Sequence, residues 1–247
     1  MNSEIIKKFC DLLGEERVFT GEAMSRHTTF KIGGPADYFL MPDKDTDVGR
    51  IVKICKESAI PYFILGNGSN LLVGDGGYRG AVIQIYKNMS AVTVEGTEIT
   101  VQAGALLSSV AAAAKNAALT GFEFAGGIPG TMGGAVVMNA GAYGGEMKDV
   151  LTEVTVMDEE GEIVTLPADK LELGYRTSII ARKGYLVVSA LLELEAGETK
   201  TLHFTLGFDE LRLLDASYHW VVEPGDFTVL AGANAGDLPL RADFRVV

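Results

Sequence analysis

The sequence predicts an α+β protein in which two lobes of mixed short strands and helices precede a β-rich segment. Three patterns support this prediction. Residues 1–86 alternate apolar strand runs with amphipathic helix runs, residues 87–194 place two hairpin patterns around an alanine-rich helix, and residues 195–247 alternate apolar and polar residues between turn signals. Because the strands are short and of mixed kind, a doubly wound parallel sheet is not expected.

In the first lobe, residues 1–86, capping and turn residues mark where each element begins and ends. Both predicted helices carry an apolar stripe on one face, which should pack against the strands. The expected elements are, in order, a helix from Ser3 to a stop at Gly14, a strand at 38–41 after a Gly-Gly-Pro turn, a helix capped by Asp45 or Thr46 and closed by Pro61, and strands at 62–65 and 81–85.

The second lobe, residues 87–194, contains two hairpin patterns and a long apolar run that predicts a buried strand. Its helix has an alanine-rich face, which is typical of close packing between a helix and a sheet. The expected elements are strands at 91–95 and 99–102 joined at Gly96 and Thr97, a helix with Leu106, Leu107, Val110, Ala111 and Ala114 on one face, strands at 153–158 and 162–166, and a strand at 186–194.

The last segment, residues 195–247, has the short alternating runs of a β-sandwich. Strands are expected at 199–206, 227–230 and 240–246, with turns at Pro224-Gly225 and at 232–236. Such a segment makes only about half of a sandwich of roughly 100 residues. Its apolar face then docks on the lobes, pairs with a second copy by self-association, or stays partly molten.

A dense run of glycines lies at residues 121–147. Glycine loses more backbone entropy on folding than any other residue, so such a run indicates turns with positive φ or a backbone pressed against a flat or charged group. Pro129 is suited to open a short helix, which would leave the N–H groups of residues 130–134 uncovered for an anion such as a pyrophosphate. The alternative is a tightly packed turn with no ligand.

A second glycine loop, residues 65–72, follows the strand predicted at 62–65. Gly66 and Gly68 force a turn whose consecutive N–H groups form a concave site for anions. The Rossmann fingerprint is not matched because Leu71 stands where its third glycine would be, and the chain has no P-loop motif. Two such loops on two lobes favour a dinucleotide held between the lobes.

Four motifs occur in a fixed order along the chain. They are residues 27–36 (His-Thr-Thr-Phe-Lys-Ile-Gly-Gly-Pro-Ala), 65–72 (Leu-Gly-Asn-Gly-Ser-Asn-Leu-Leu), the glycine run 121–147, and 174–178 (Gly-Tyr-Arg-Thr-Ser). Together they resemble the bacterial UDP-N-acetylenolpyruvoylglucosamine reductase (UDP-N-acetylmuramate dehydrogenase) family of peptidoglycan synthesis, over residues 1–194. The resemblance implies the two-lobed FAD-binding fold of the vanillyl-alcohol oxidase type, non-covalent FAD, NADPH as reductant and a UDP-sugar substrate.

The two glycine loops supply the expected cofactor contacts. These are Gly66, Asn67, Gly68, Ser69, Asn70, Leu71, Gly126, Gly127, Ile128, Pro129, Gly130, Thr131, Gly133, Gly134, Asn139 and Gly141. Arg176 matches the family's active-site arginine, which steadies the enolpyruvyl group as carbanion character develops. Its alternative role is a structural ion pair. Tyr175 is expected to be a packing residue and His27 a structural one.

The resemblance to the reductases stops near residue 194, and the join at 192–197 reads like a fusion. The family's proton-donating serine and late glutamate have no counterpart, because Ser217 and Glu223 stand in different sequence contexts. Residues 195–247 instead resemble the end of the fibronectin-III-like domain of family 3 glycoside hydrolases, in place of the family's substrate-binding domain. We therefore expect impaired turnover, because losing a general acid costs about 10² to 10⁴ in rate.

Composition excludes several classes of function. The chain of 247 residues has 21 basic and 33 acidic residues, and a net charge of −12 repels nucleic acid. Cys10 and Cys55 lack a paired spacing and the histidines are scattered, so no metal site is expected. The start is amphipathic rather than a signal peptide, and no apolar run approaches the roughly 20 residues of a membrane span. A cytoplasmic protein is expected.

Three functions from different classes remain open on the sequence. They are an FAD-dependent reductase, complete or impaired, a flavin-binding module without turnover, and a carbohydrate-associated β-module whose N-terminal half is scaffold. A yellow protein would support the first two. Reduction of the flavin by NADPH and its reoxidation by the UDP-sugar would separate the first from the second.

Overall fold

The computed structural model describes residues 2–197, 206–231 and 240–247. The chain divides into two compact units, Met1–Gly197 and Glu198–Val247. None of the helices in the described residues combines the length and the hydropathy that crossing a membrane requires.

The first unit mixes helices and strands along its whole length, as the α+β prediction requires. Its α-helices are α1 (Ser3–Leu13), α2 (Asp45–Glu57), α3 (Leu107–Asn116), α4 (Met132–Val137) and α5 (Ile179–Lys183). Its strands are β1 (Val18–Ala23), β2 (Pro35–Leu40), β3 (Tyr62–Leu65), β4 (Tyr78–Gln84), β5 (Val92–Glu95), β6 (Glu98–Gln102), β7 (Leu119–Thr120), β8 (Gly141–Ala142), β9 (Gly145–Glu146), β10 (Leu151–Met157), β11 (Ile163–Pro167), β12 (Leu186–Glu193) and β13 (Glu195–Ala196).

The first sheet has the strand order β1-β2-β4-β3 and is buried on both faces at its centre. β1 pairs antiparallel with β2, whereas β2 and β3 pair parallel with β4. Because side chains alternate along a strand, Leu40 and Ile83 join the large core with α1 and α2, while Phe39 and Val82 join a smaller cluster. Burial on both faces explains the continuous apolar runs of β2 and β4.

The second sheet is antiparallel, with the strand order β11-β10-β12-β6-β5. Its central strand, β12, is the last of the five in the chain. α4 packs against β12, and the buried residues Ile99, Val136 and Ala190 belong to the same core cluster as Leu40. The two sheets therefore share one continuous apolar core, and the loops at their ends are held close together.

Several predicted elements are confirmed and several boundaries are wrong. β3 has the predicted bounds, and both predicted hairpins form as β5–β6 and β10–β11. The N-cap of α1 is Asn2 rather than Ser3, since its Oδ1 accepts the N–H of Glu4 at 2.9 Å. The predicted caps of α2 are also wrong: Asp45 is already helical and follows Lys44.

The second unit contains short elements. They are α6 (Phe208–Leu211), β14 (Leu213–Leu214), β15 (Trp220–Val221), β16 (Gly225–Ala231) and β17 (Leu240–Val246). β14 pairs with β15 and β16 with β17, both antiparallel, and Phe227 stacks on Phe244 with ring centroids 5.5 Å apart. The strand predicted at 199–206, except for its last residue, and the turn predicted at 232–236 lie outside the described residues.

Candidate functional site

A cleft of about 770 Å³ opens in the first unit where loops from both sheets meet. This volume is within the range of about 300 to 1,000 Å³ that is usual for sites of small molecules and cofactors. The cleft is lined by residues 63–71, 128–131 and 138–146, together with Leu107, Gly134, Ala135, Tyr175 and Arg176.

The loop that follows β3 enters the cleft through a turn at Gly68. The φ of Gly68 is +71°, and a Cβ at this position would lie 1.9 Å from the carbonyl oxygen of His27. The Gly68 carbonyl in turn accepts the N–H of Thr29 at 3.1 Å. No other residue fits this close approach, so the motif at 27–36 serves to hold the loop against the sheet.

The loop after β3, residues 65–72, touches the glycine run 121–147 at the centre of the cleft. A Cβ on Gly66 would lie 2.4 Å from Oγ1 of Thr131. The glycine run is itself fixed at the start of α3, because the N–H of Leu107 donates to the Gly130 carbonyl at 3.1 Å. A Cβ on Gly130 would point toward Oγ of Ser69 at 3.8 Å. Because Gly66 and Gly130 have no side chains, the floor of the cleft is open to a ligand.

The prediction that a helix opens at Pro129 is wrong. α4 begins at Met132, and the N–H groups of Met132 and Gly133 donate to the carbonyls of Ala105 and Ala103, each at 2.8 Å. These two N–H groups therefore bind the chain segment before α3 and not an anion. The local sequence carries no signal for this pairing, because its acceptors lie far away along the chain.

Three of the predicted cofactor residues do not line the cleft. A Cβ on Gly133 would lie 3.0 Å from Cβ of Ala103, so this glycine permits close packing inside the unit. Gly126 faces Ala111, and Gly127 faces open space. The predicted residues that do line the cleft are Gly66, Asn67, Gly68, Ser69, Asn70, Leu71, Ile128, Pro129, Gly130, Thr131, Gly134, Asn139 and Gly141.

Arg176 lies at the tip of a tight turn that borders the cleft. The N–H of Gly174 donates to the Thr177 carbonyl at 3.1 Å, and the N–H of Thr177 donates back at 3.2 Å. The φ of Arg176 is +53°, an uncommon value for a residue with a side chain. Tyr175 is 90% exposed, so its expected packing role is wrong. Among the described residues, no ion pair includes Arg176.

Asn139 borders the cleft, but its side-chain amide faces the protein. Nδ2 donates to Oε2 of Glu146 at 2.8 Å and to the Gly174 carbonyl at 3.3 Å, and Oδ1 accepts the N–H of Lys148 at 3.0 Å. The hydrogen-bonding groups of this amide are thus used inside the protein, and the expected contact of Asn139 with the cofactor stays a prediction. Hydrogen bonds from Lys148 and Asn139 hold the pKa of Glu146 below its usual value.

Sequence reasoning missed the aromatic and acidic side chains at the rim of the cleft. Tyr143 is 97% exposed, and Glu146 follows it on β9. A signal for Tyr143 was present, because an aromatic residue amid glycines has few neighbours to pack against. The strand residues Phe63 and Ile64 also line the cleft. Their apolar run indicates burial and carries no sign of a ligand.

The residues expected to be structural lie outside the cleft. The ring of His27 stacks on Phe39 with centroids 3.9 Å apart, and its Nε2 lies 3.0 Å from Oε1 of Glu22. Cys55 is buried in the core, which raises the pKa of its thiol to about 12. Among the described residues, no group of three or more His, Cys, Asp or Glu side chains is arranged to hold a metal ion.

Two parts of the chain match known protein families. Residues 36–167, more than half of the chain, match the FAD binding domain family. The chain belongs to this family. Residues 189–235 match the fibronectin type III-like domain, which confirms the second resemblance.

The relatives of this FAD binding domain protein include named reductases. The chain is 52% identical over 194 residues to UDP-N-acetylenolpyruvoylglucosamine reductase of Alkaliphilus metalliredigens, and 47% identical over 196 residues to that of Clostridioides difficile. The first alignment covers 78% of this chain and the second 79%. The chain spans 64% of the length of both curated relatives.

Solved structures confirm the fold. UDP-N-acetylenolpyruvylglucosamine reductase from Thermus caldophilus matches with a TM-score of 0.63 and 35% identity, over 74% of this chain and 64% of that one. p-Cresol methylhydroxylase matches with a TM-score of 0.58 and 17% identity, over 78% of this chain and 43% of that one. At that identity the second likeness shows the fold alone, which is the two-lobed fold expected from the sequence.

Proposed function

We propose that the first unit binds FAD non-covalently in the cleft and that the chain is a flavin-dependent oxidoreductase. The observation that carries the proposal is the meeting of the two glycine loops, where Gly66 approaches Thr131 and Gly130 faces Ser69. This backbone surface can lie close to a flat or charged group because no side chains cover it. The two loops contain no cysteine or histidine to form a covalent link.

The proposed reaction is the reduction of UDP-N-acetylglucosamine enolpyruvate, which agrees with the names of the relatives, with NADPH as the reductant that the resemblance in sequence implies. Bound FAD supplies the hydride chemistry. Arg176, at the rim of the cleft and without an ion pair among the described residues, stabilises negative charge on the enolpyruvyl group as it develops. Tyr143 and Tyr175, which also line the cleft, offer exposed aromatic surface.

A bulky residue on the cleft side of the glycine run 121–147 tests the cofactor assignment. Gly130→Phe places a ring toward Ser69, so we expect the purified variant to lose its FAD while its far-UV circular dichroism stays close to that of the wild type. Gly127→Phe is the matched control, since a Cβ there meets no atom within 4 Å. Equal ratios of flavin to protein in the wild type and Gly130→Phe would refute the site.

A flavin-binding module with impaired or no turnover is the second candidate. It is favoured by the match of residues 189–235 to the fibronectin type III-like domain, in a chain that spans 64% of the relatives. Anaerobic reduction by NADPH, followed by addition of the UDP-sugar, separates the candidates. Reoxidation of the flavin by the sugar supports the reductase, whereas a flavin that stays reduced supports the module.

A further inference from the structure

The turn that carries Arg176 is held at both ends by the segment that ends α4. At its start, the Gly174 carbonyl accepts a hydrogen bond from Nδ2 of Asn139 at 3.3 Å. Just past its end, Oγ of Ser178 donates to the Val137 carbonyl at 2.7 Å. Val137 and Asn139 are two residues apart, so one short segment holds both sides of the turn, through a backbone carbonyl at Val137 and a side-chain amide at Asn139.

The two gripping side chains are buried. Ser178 is fully buried and Asn139 is 4% exposed, so water cannot readily replace a broken bond. Ser178 also accepts the N–H of Ala181 at 3.3 Å and so caps α5. Asn139 further binds Glu146 and the N–H of Lys148, which ties the turn to the β8–β9 hairpin.

Arg176, in contrast, has an exposed side chain and a backbone in the left-handed region at φ +53°. Such a conformation persists where the surrounding structure imposes it. We propose that Asn139 and Ser178 are positioning residues that fix the Tyr175–Arg176 turn at the rim of the cleft, so that the guanidinium meets its substrate in one orientation. The functional part of this inference rests on the proposed reductase activity. The grip, by which we mean the hydrogen bonds of Asn139 to Gly174 and of Ser178 to Val137, does not.

Trypsin tests the grip without any flavin chemistry, because it cleaves after arginine and needs a locally opened backbone. We expect cleavage after Arg176 to be about tenfold faster in Asn139→Gly and in Ser178→Ala than in the wild type. Glycine adopts the φ of +45° found at Asn139 without strain, so this variant removes the amide and spares the backbone. Cleavage after Lys53 on α2 gives the internal reference rate.

The control for the amide is Asn88→Gly. Nδ2 of Asn88 also donates to a backbone carbonyl, that of Met41 at 3.3 Å, but lies outside the cleft. This variant should leave cleavage after Arg176 unchanged. If trypsin cleaves both Asn139→Gly and Ser178→Ala after Arg176 no faster than it cleaves the wild type, these two side chains do not hold the turn.

A double-mutant cycle tests whether the grip acts through Arg176. The measured quantity is the anaerobic rate at which the UDP-sugar reoxidises the reduced flavin, per bound FAD. We expect Asn139→Gly to slow this rate by about tenfold to a hundredfold in the wild type and to have no further effect in an Arg176→Ala background. Equal slowing in both backgrounds would show a merely structural role and overturn the positioning. If the UDP-sugar does not reoxidise the flavin of the wild type, the proposed reductase is refuted. The trypsin experiment then tests by itself whether Asn139 and Ser178 hold the turn.

Discussion

At the residue scale, Gly66 and Thr131 lie in close contact where the two glycine loops meet. Gly66→Ala would put a methyl group 2.4 Å from Oγ1 of Thr131, so we expect a loss of about 1 to 3 kcal/mol in unfolding free energy and weaker FAD retention. The double variant Gly66→Ala/Thr131→Ala removes the clashing atom and should recover most of the stability in urea unfolding. A double variant no more stable than Gly66→Ala would show that the contact is not the cause.

Glu146 gives a prediction about pH. Its pKa in the folded protein lies below the ordinary 4.5. The hydrogen bond from Lys148 is the largest cause, and the hydrogen bond from Asn139 is the next. A carboxylate with a lowered folded-state pKa stabilises the protein above the pKa of the unfolded chain, and this stabilisation is lost as pH falls through the folded value. We expect the unfolding free energy of Glu146→Gln to fall less than that of the wild type as pH is lowered below about 5. Parallel curves for variant and wild type would contradict this role.

At the element scale, the first helix depends on the residue that precedes it. Because Oδ1 of Asn2 accepts the N–H of Glu4, Asn2→Ala should cost about 1 kcal/mol in unfolding free energy. Ser3→Ala is the control, since Ser3 lies inside α1 and is not its cap. Chemical denaturation measures both variants, and a larger loss from Ser3→Ala would restore the cap predicted from the sequence.

The elements show which parts of the molecule a sequence can predict. β3 and the two hairpins were predictable because apolar alternation and turn glycines act locally. The turn glycines also predict the two loops, which the structure places at the cleft. The partners of the α4 N–H groups and of the Asn139 amide were not, because they depend on segments that only folding brings together. Likewise, nothing local distinguishes Gly130, whose Cβ would face the cleft, from Gly127, whose Cβ would not.

At the scale of the whole molecule, the chain keeps the cleft and Arg176 but spans 64% of the length of its named relatives. Ser217 and Glu223 belong to the second unit and stand in contexts unlike those of the family's proton donors. We therefore expect the UDP-sugar to accelerate the oxidation of NADPH only weakly. A steady-state absorbance assay decides this, and acceleration by the UDP-sugar to about 1 to 10³ per second would show that turnover is intact.

The position of β12 at the centre of the second sheet has a consequence for synthesis on the ribosome. β5–β6 and β10–β11 can each form as a hairpin when they emerge, but they are joined through β12, which is translated after both. Until residue 193 has left the exit tunnel, the nascent chain therefore presents two hairpins with unpaired inner edges, which are open to association with other chains. A pause in translation after β10–β11 has left the tunnel and before β12 has done so would prolong that exposure, so elongation speed over the codons read in that interval bears on the yield of folded protein.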